Sequence, residues 1–332
     1  MSIIDDQLSS DECPCSVGFL EQLPSSEIYL YERQHFPSKL VENLHGFYPA
    51  ISPSKNSLKC PTCSFPLLFL FQLYTPLDQD EDSPSFHRMI YVFLCTTPAC
   101  QTLQSSIKVF RSQLPKVNPF YSELPPTSET QPLTQIDSHL CYLCGAVADH
   151  PCPRFKTIWY CSPHHQQCDW SRRQHACGEP SPTPKISTTF LLTESFIQCE
   201  DEPSEDEGGE CAEYEEMDQH EMKEFEEVSK SKGVEVDEAF VEFSTRIARF
   251  PEQILRYHRD EEPLISSSSF SLPEVPKCEN CGGKRVFEFQ ILPSIIYIGN
   301  LAGVDFEGVF VFTCENSCSS DGYLEEFAVK QI

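Results

Sequence analysis

Basic residues are scarce in this chain: 24 lysines and arginines stand against 51 aspartates and glutamates, a net charge of -27 over 332 residues. A surface so negative repels phosphate backbones, which argues against a general nucleic-acid binder and for basic partners. Long apolar runs are missing too. The longest, Pro66 to Leu73, is far too short to cross a bilayer. The N-terminal stretch MSIIDDQLSSDE is acidic and lacks a positive segment followed by an apolar core. The expectation is therefore a cytoplasmic or nuclear protein, or one found in both places. No G-x-S-x-G, H-E-x-x-H or P-loop occurs, so no catalytic residue is assigned and an enzyme is not expected. The hydrophobic share, 39%, is slightly low, and part of the length reads as solvated linker.

Cysteine, by contrast, is plentiful, with 18 residues. In a large chain without an export signal these are not a disulfide framework. They fall as C-x-x-C pairs answered by later clusters, the spacing of tetrahedral zinc sites. Cys60 and Cys63 are followed by Cys95 and Cys100; Cys278 and Cys281 are followed by Cys314 and Cys318. The two stretches can be laid over each other. Phe69, Phe71 and Gln72 lie nine, eleven and twelve residues after their first cysteine, and Phe287, Phe289 and Gln290 lie at the same offsets. The second cluster begins 35 residues on in one copy and 36 in the other, each time after V-F-x.

That coincidence predicts one unit used twice. Each copy reads as a zinc-ribbon-like knuckle feeding a hairpin, with alternating phenylalanines on a strand of one buried face. A cage of four thiolates ties two distant turns together and contributes folding free energy directly. With four protein ligands and no open position, both sites read as structural. The expected fold is α+β and mostly β, with the duplicated units forming one body.

Between the copies stand Cys141, Cys144, Cys152, Tyr160-Cys161-Ser162, His165-Gln166, Asp169-Trp170, His175 and Cys177. This pattern resembles a MYND finger, a cross-braced two-zinc module that generally docks peptides. The resemblance implies a complete first site at Cys141, Cys144, Cys161 and His165. The second site departs from the family: Cys152 has Phe155 where a second thiolate is usual, and His175 precedes Cys177 by two residues rather than four. Cys152, His175 and Cys177 either hold zinc with a fourth ligand such as His150 or Cys168, or the site is empty and packed around Phe155. The total is three zinc ions, or four.

The expected segments are an N-terminal zinc unit over 1–130, the finger over 138–180, an acidic linker without fixed structure over 181–234, and a helix plus zinc unit over 235–332. Val236, Phe240, Phe243, Ile247 and Phe250 recur at helical steps and predict an amphipathic helix whose stripe packs into the core. Pro251 is expected to open a second short helix, PEQILRY.

The chain as a whole resembles the programmed cell death protein 2 family, the Tsr-four-like proteins. The resemblance rests on PLLFLFQLYTPL, FHR (Phe86 to Arg88), FRSQLPKVNPFY (Phe110 to Tyr121), the finger, EQILRY, FEFQILP, VFTCENSC and GYLEEF. Where relatives carry G-G-x-P-x-W-L, this chain has Leu44-His45-Gly46-Phe47-Tyr48-Pro49-Ala50. The resemblance implies a dedicated chaperone for one newly made, basic small-subunit ribosomal protein, universal protein five, in 40S biogenesis. The competing expectation is an adaptor in transcription or apoptosis regulation, with the finger holding a peptide ligand.

Overall fold

A computed structural model describes residues 15–40, 57–77, 83–131, 133, 139–142, 146–154, 156–172, 194–202, 237–299, 301, 303–319 and 322–332. Among the described residues twelve strands are formed: β1 (Ser16–Glu21), β2 (Lys39–Leu40), β3 (Leu68–Tyr74), β4 (His87–Leu94), β5 (Ile107–Leu114), β6 (His150–Pro151), β7 (Trp159–Tyr160), β8 (Ser195–Asp201), β9 (Leu255–Tyr257), β10 (Arg285–Ile291), β11 (Gly308–Cys314) and β12 (Leu324–Gln331). Ten of them close into an antiparallel barrel in the order β1-β8-β2-β3-β4-β5-β12-β11-β10-β9, and β9 pairs back to β1. The remaining two, β6 and β7, make a small ribbon in the finger. Three α-helices are described: α1 (Pro163–Arg172), α2 (Glu238–Ala248) and α3 (Ser294–Ile298).

The apolar strands read as near-continuous runs because they are covered on both faces. Along β4, Ile90, Val92 and Leu94 point into the barrel and meet Phe71, Val109, Phe289 and Val311. The alternate residues Met89, Tyr91 and Phe93 face outward and join Phe69, Phe110 and Tyr121 in a second core beneath the finger. Phe287, Phe310, Phe312 and Val329 form a third, covered by Ile265, Phe270, Leu272 and Val275.

The β3–β4 and β10–β11 hairpins share their register to the residue. Phe69 faces Phe93, Phe71 faces Val92 and Gln72 faces Tyr91; Phe287 faces Phe312, Phe289 faces Val311 and Gln290 faces Phe310. Both skip one residue at the same step, between Phe69 and Phe71 and between Phe287 and Phe289. Such a bulge leaves an extra residue on one strand and re-aims the side chains after it.

Three sequence expectations change. Residues 251–257 are not a helix: Leu255–Tyr257 is β9, and Ile254 and Leu255 are buried where β9 closes the barrel between β1 and β10. Helix propensity is a weak preference that such closure overrides. The helix α2 forms, capped by Asp237, but buries none of its residues, and Phe240 is 55% exposed. Its stripe does not enter the core; the contact lies just beyond it, where Phe250 meets Phe19 edge-on at 5.9 Å. Within the span expected to be linker, Ser195–Asp201 is a barrel strand, β8, between β1 and β2. The rest of that span from 203 onward, Val236 and the variant motif Leu44 to Ala50 lie outside the described residues.

Candidate metal centres

The first cage is built by two turns. Cys60 and Cys63 sit on a tight turn before β3, in which the Cys60 N–H donates to the Phe65 carbonyl and the Ser64 N–H to the Cys60 carbonyl, both at 2.8 Å. Cys95 follows β4 directly, and Cys100 ends a short 3-10 turn, Pro98–Cys100. The Cys60 and Cys100 sulfurs are 3.9 Å apart and those of Cys63 and Cys95 3.6 Å. A tetrahedron with zinc–sulfur bonds of about 2.3 Å has edges of about 3.8 Å, so the four thiols fit a zinc ion.

The second cage repeats the construction. The Cys278 N–H donates to the Gly283 carbonyl and the Gly282 N–H to the Cys278 carbonyl, again at 2.8 Å. Ser64 and Gly282, each four residues after its first cysteine, both take left-handed backbone at φ 60° and 72°. Sulfur separations are 3.6 Å for Cys278 and Cys318 and 3.5 Å for Cys281 and Cys314. All four sulfurs in each cage lie within 4.8 Å of one another. The Gly283 N–H donates to the Cys281 sulfur at 3.4 Å and, with the Cys314 thiol, pulls its pKa down to about 7. Deprotonated sulfur is the form a metal binds.

Strand direction places the cages. Between β4 and β11 stand β5 and β12, so β4 and β11 run oppositely, and each cage follows the C-terminal end of its strand. The cages therefore occupy opposite ends of the barrel. Each is braced by the last strand of the other half. Lys330 on β12 donates its ammonium to the Gln101 carbonyl, beside Cys100. On β5, Gln113 donates to the Ser317 carbonyl at 2.8 Å and Arg111 to the Cys318 carbonyl at 3.0 Å.

Near the second cage the inward positions of the barrel turn polar. Arg88 meets Glu288 through two hydrogen bonds, at 2.6 and 2.9 Å, with both side chains fully buried. Arg88 also donates to Ser317 at 3.1 Å, and Tyr257 and Arg259 donate to Glu288 at 2.7 and 3.2 Å. Burial pushes the Glu288 carboxyl up, but Arg88 and Arg259 outweigh it and hold it below the usual carboxylate range. No local pattern in the sequence pointed to this network.

In the finger, Cys141, Cys161 and His165 converge, the His165 Nδ1 lying 3.4 Å from each sulfur. This set fits a zinc ion with Cys144, which lies outside the described residues along with His175 and Cys177. Of Cys152, His175 and Cys177 only Cys152 is described, buried, with its N–H bonded to the Ile158 carbonyl, while His150, the candidate fourth ligand, is exposed on β6. The finger is no free excursion. Cys141, Ala146, Cys152 and Tyr160 share one core with Cys60, Cys95 and Cys100, and the His164 ring stacks on Phe65 of the first turn at 4.1 Å. Trp170, on α1, remains 50% exposed.

Among the described residues no helix is long and apolar enough to cross a membrane. The N-terminal and C-terminal domain models of programmed cell death protein 2 match residues 14–128 and 237–332, and the MYND finger model matches 141–177. Programmed cell death protein 2 of Mus musculus is 36% identical, covering 96% of each chain, and that of Bos taurus is 35% identical with the same coverage. A protein of Schizosaccharomyces pombe described as probable 20S rRNA accumulation protein 4 is 25% identical over 82% of this chain and 86% of its own. No solved structure matches. With both domain models and the finger matched in order and relatives aligned nearly end to end, the chain belongs to the programmed cell death protein 2 family.

Proposed function

We propose that this chain is a non-catalytic, zinc-held chaperone that captures one newly made, basic small-subunit ribosomal protein and escorts it into 40S assembly. The observation that carries the reading is the likeness, over most of both chains, to the fission-yeast protein whose name ties it to 20S rRNA accumulation. The net charge of -27 supports it, because an acidic surface attracts a basic client and speeds the encounter. In this reading Cys60, Cys63, Cys95 and Cys100, and Cys278, Cys281, Cys314 and Cys318, hold two structural zinc ions in two copies of one zinc-ribbon-like unit. The shared hairpin register, bulge and knuckle turn support that duplication. The protein works in the cytoplasm, the nucleus or both. The barrel is closed along its strand ladder, so a client held on the barrel meets surface side chains and no free strand edge.

The adaptor reading is favoured by one feature, Trp170 exposed on α1 of the finger. Deleting the finger would strip the core around Cys60 and Cys95, so a point change separates the readings better. Wild type and Trp170→Ala are each purified from cells and their partners identified by mass spectrometry. The chaperone reading expects the small-subunit protein with both. Its loss with Trp170→Ala, or depletion of the chain lowering both ribosomal subunits equally, overturns that reading.

A further inference from the structure

The chain between β9 and β10 carries four consecutive serines, Ser266 to Ser269, flanked by Ile265 and Phe270. Both flanking side chains pack with Leu272 and Val275 onto the outer core of the second half, the Phe270 ring 5.7 Å from Phe310. These anchors hold the serines against the start of α2, where one carboxylate serves two masters. Asp237 caps the helix, accepting from the N–H groups of Ala239 at 3.1 Å and Phe240 at 3.4 Å. The same carboxylate accepts the Ser268 N–H at 3.0 Å, the Ser268 hydroxyl at 2.5 Å and the Ser267 hydroxyl at 3.0 Å. No residue of α2 is fully buried, and this clasp ties its N-terminal end to the serine loop. The other end is fastened separately, by Phe250 against Phe19 and by Arg246, 3.5 Å from Glu202.

The residues that follow give the clasp a chemical handle. Ser268, Ser271 and Glu274 are spaced S-x-x-S-x-x-E, and both serines are exposed. Acidic-directed serine kinases read a negative charge three residues after the acceptor, because a basic pocket must be filled by a carboxylate or phosphate. Ser271 meets this requirement with Glu274. Ser268 meets it only after Ser271 has become a phosphate. The neighbours Ser267 and Ser269 have Phe270 and Leu272 at that position and do not qualify.

We propose that Ser271 and Ser268 are an ordered pair of phosphorylation sites, and that the second phosphate opens the Asp237 clasp and frees the N-terminal end of α2. In each step the serine oxygen attacks the terminal phosphorus of a nucleoside triphosphate. The bond to the bridging oxygen breaks, the diphosphate leaves, and the hydroxyl proton passes to the kinase's base. At Ser268 this removes the hydroxyl donor and sets a group of about -1.5 to -2 charge beside a carboxylate. Like charges at hydrogen-bond distance repel, so Asp237 and Ser268 separate, and the first turn of α2, untied from the serine loop, frays.

The test uses the full chain with a casein-kinase-type, acidic-directed serine kinase and magnesium ATP. Phosphates are placed by peptide mass spectrometry and the helix is followed by amide hydrogen exchange. Phosphate is expected first on Ser271 and then on Ser268. Ser271→Ala should take neither phosphate, and Ser271→Glu should accept one on Ser268 alone. Exchange at the Phe240 and Val241 amides should rise at least tenfold on the second phosphate, and should not change when Ser268→Ala is treated with kinase. Full labelling of Ser268 in Ser271→Ala, no labelling of it in Ser271→Glu, or unaltered exchange after double phosphorylation would each overturn the proposal.

Discussion

Arg88 on β4 and Glu288 on β10 form a two-point ion pair inside the barrel, linking the two halves of the chain where neither side chain reaches water. Glu288 sits at the bulge of its hairpin; the corresponding residue of the first hairpin is Leu70, buried and apolar. The same backbone device thus carries a charge in one half and a hydrocarbon in the other. A buried pair gains little over an apolar filling, but breaking it strands a charge. Glu288→Leu alone should cost about 3–5 kcal/mol, whereas Arg88→Met with Glu288→Leu should recover much of that loss. Urea unfolding of the two single variants and the double variant measures the coupling; a double variant as unstable as the sum of the singles would show that the pair is not the unit.

The crossed braces make the cages interdependent. Replacing Cys314 by Ser should release the second zinc and unsettle Ser317 and Cys318, which β5 holds through Gln113 and Arg111. Because β12 in turn braces Gln101 beside Cys100, the first cage should loosen with it. Elemental analysis of the wild type should give three zinc ions, or four with the second finger site filled; Cys314→Ser should melt in one transition, far below the wild type. Two or fewer ions in the wild type, or an unchanged melting curve for the variant, contradicts the assignment.

The sequence spoke clearly wherever a structural device is local. The C-x-x-C turns, the V-F-x approach to Cys95 and Cys314, and the F-x-F-Q offset that became the shared bulge each span only a few residues. What it left silent is what depends on distant partners. Residues Ser195–Asp201 carry only Phe196 and Ile197 as large apolar side chains, and become a strand because β1 and β2 flank them. Leu255–Tyr257 lies in a stretch that reads as helix after Pro251, and barrel closure decides otherwise. The stacking of Phe65 on His164, which seats the finger on the first cage, leaves no trace in either local pattern.

Acid should weaken the fold through His87. Its ring is buried against Phe36 at 4.2 Å and its Nδ1 lies 3.0 Å from the Tyr74 hydroxyl. Burial pulls its pKa down from 6.5 to about 4, so the unfolded chain binds this proton before the native one does. Its share of stability is whole above about pH 6.5, drains as the pH falls towards 4, and amounts to about 2 kcal/mol after allowance for solvent screening. His87→Asn should show a shallower loss of stability than wild type across that window, while acid release of the metals affects both alike. Parallel pH profiles would remove His87 from the account.

The knuckle turns allow a comparison between the halves. Ser64 and Gly282 occupy one position of one turn, with the same pair of 2.8 Å backbone hydrogen bonds around it and a positive φ in both. Glycine adopts that conformation without strain, while a side chain there costs about 1 kcal/mol or more. The first turn therefore carries a small strain that the second does not. Against this, glycine has more freedom to lose from the unfolded chain, which reduces the benefit of placing it. Ser64→Gly should raise stability by a few tenths to about 1 kcal/mol. Gly282→Ala should lower it by about 1–2 kcal/mol even though no atom lies within 4 Å of the added methyl carbon, because the penalty is in the backbone and not in crowding. Denaturant midpoints at fixed zinc concentration, with unchanged slopes, check both. A Gly282→Ala variant as stable as wild type would mean that the metal cage, and not the turn, sets the backbone at this position.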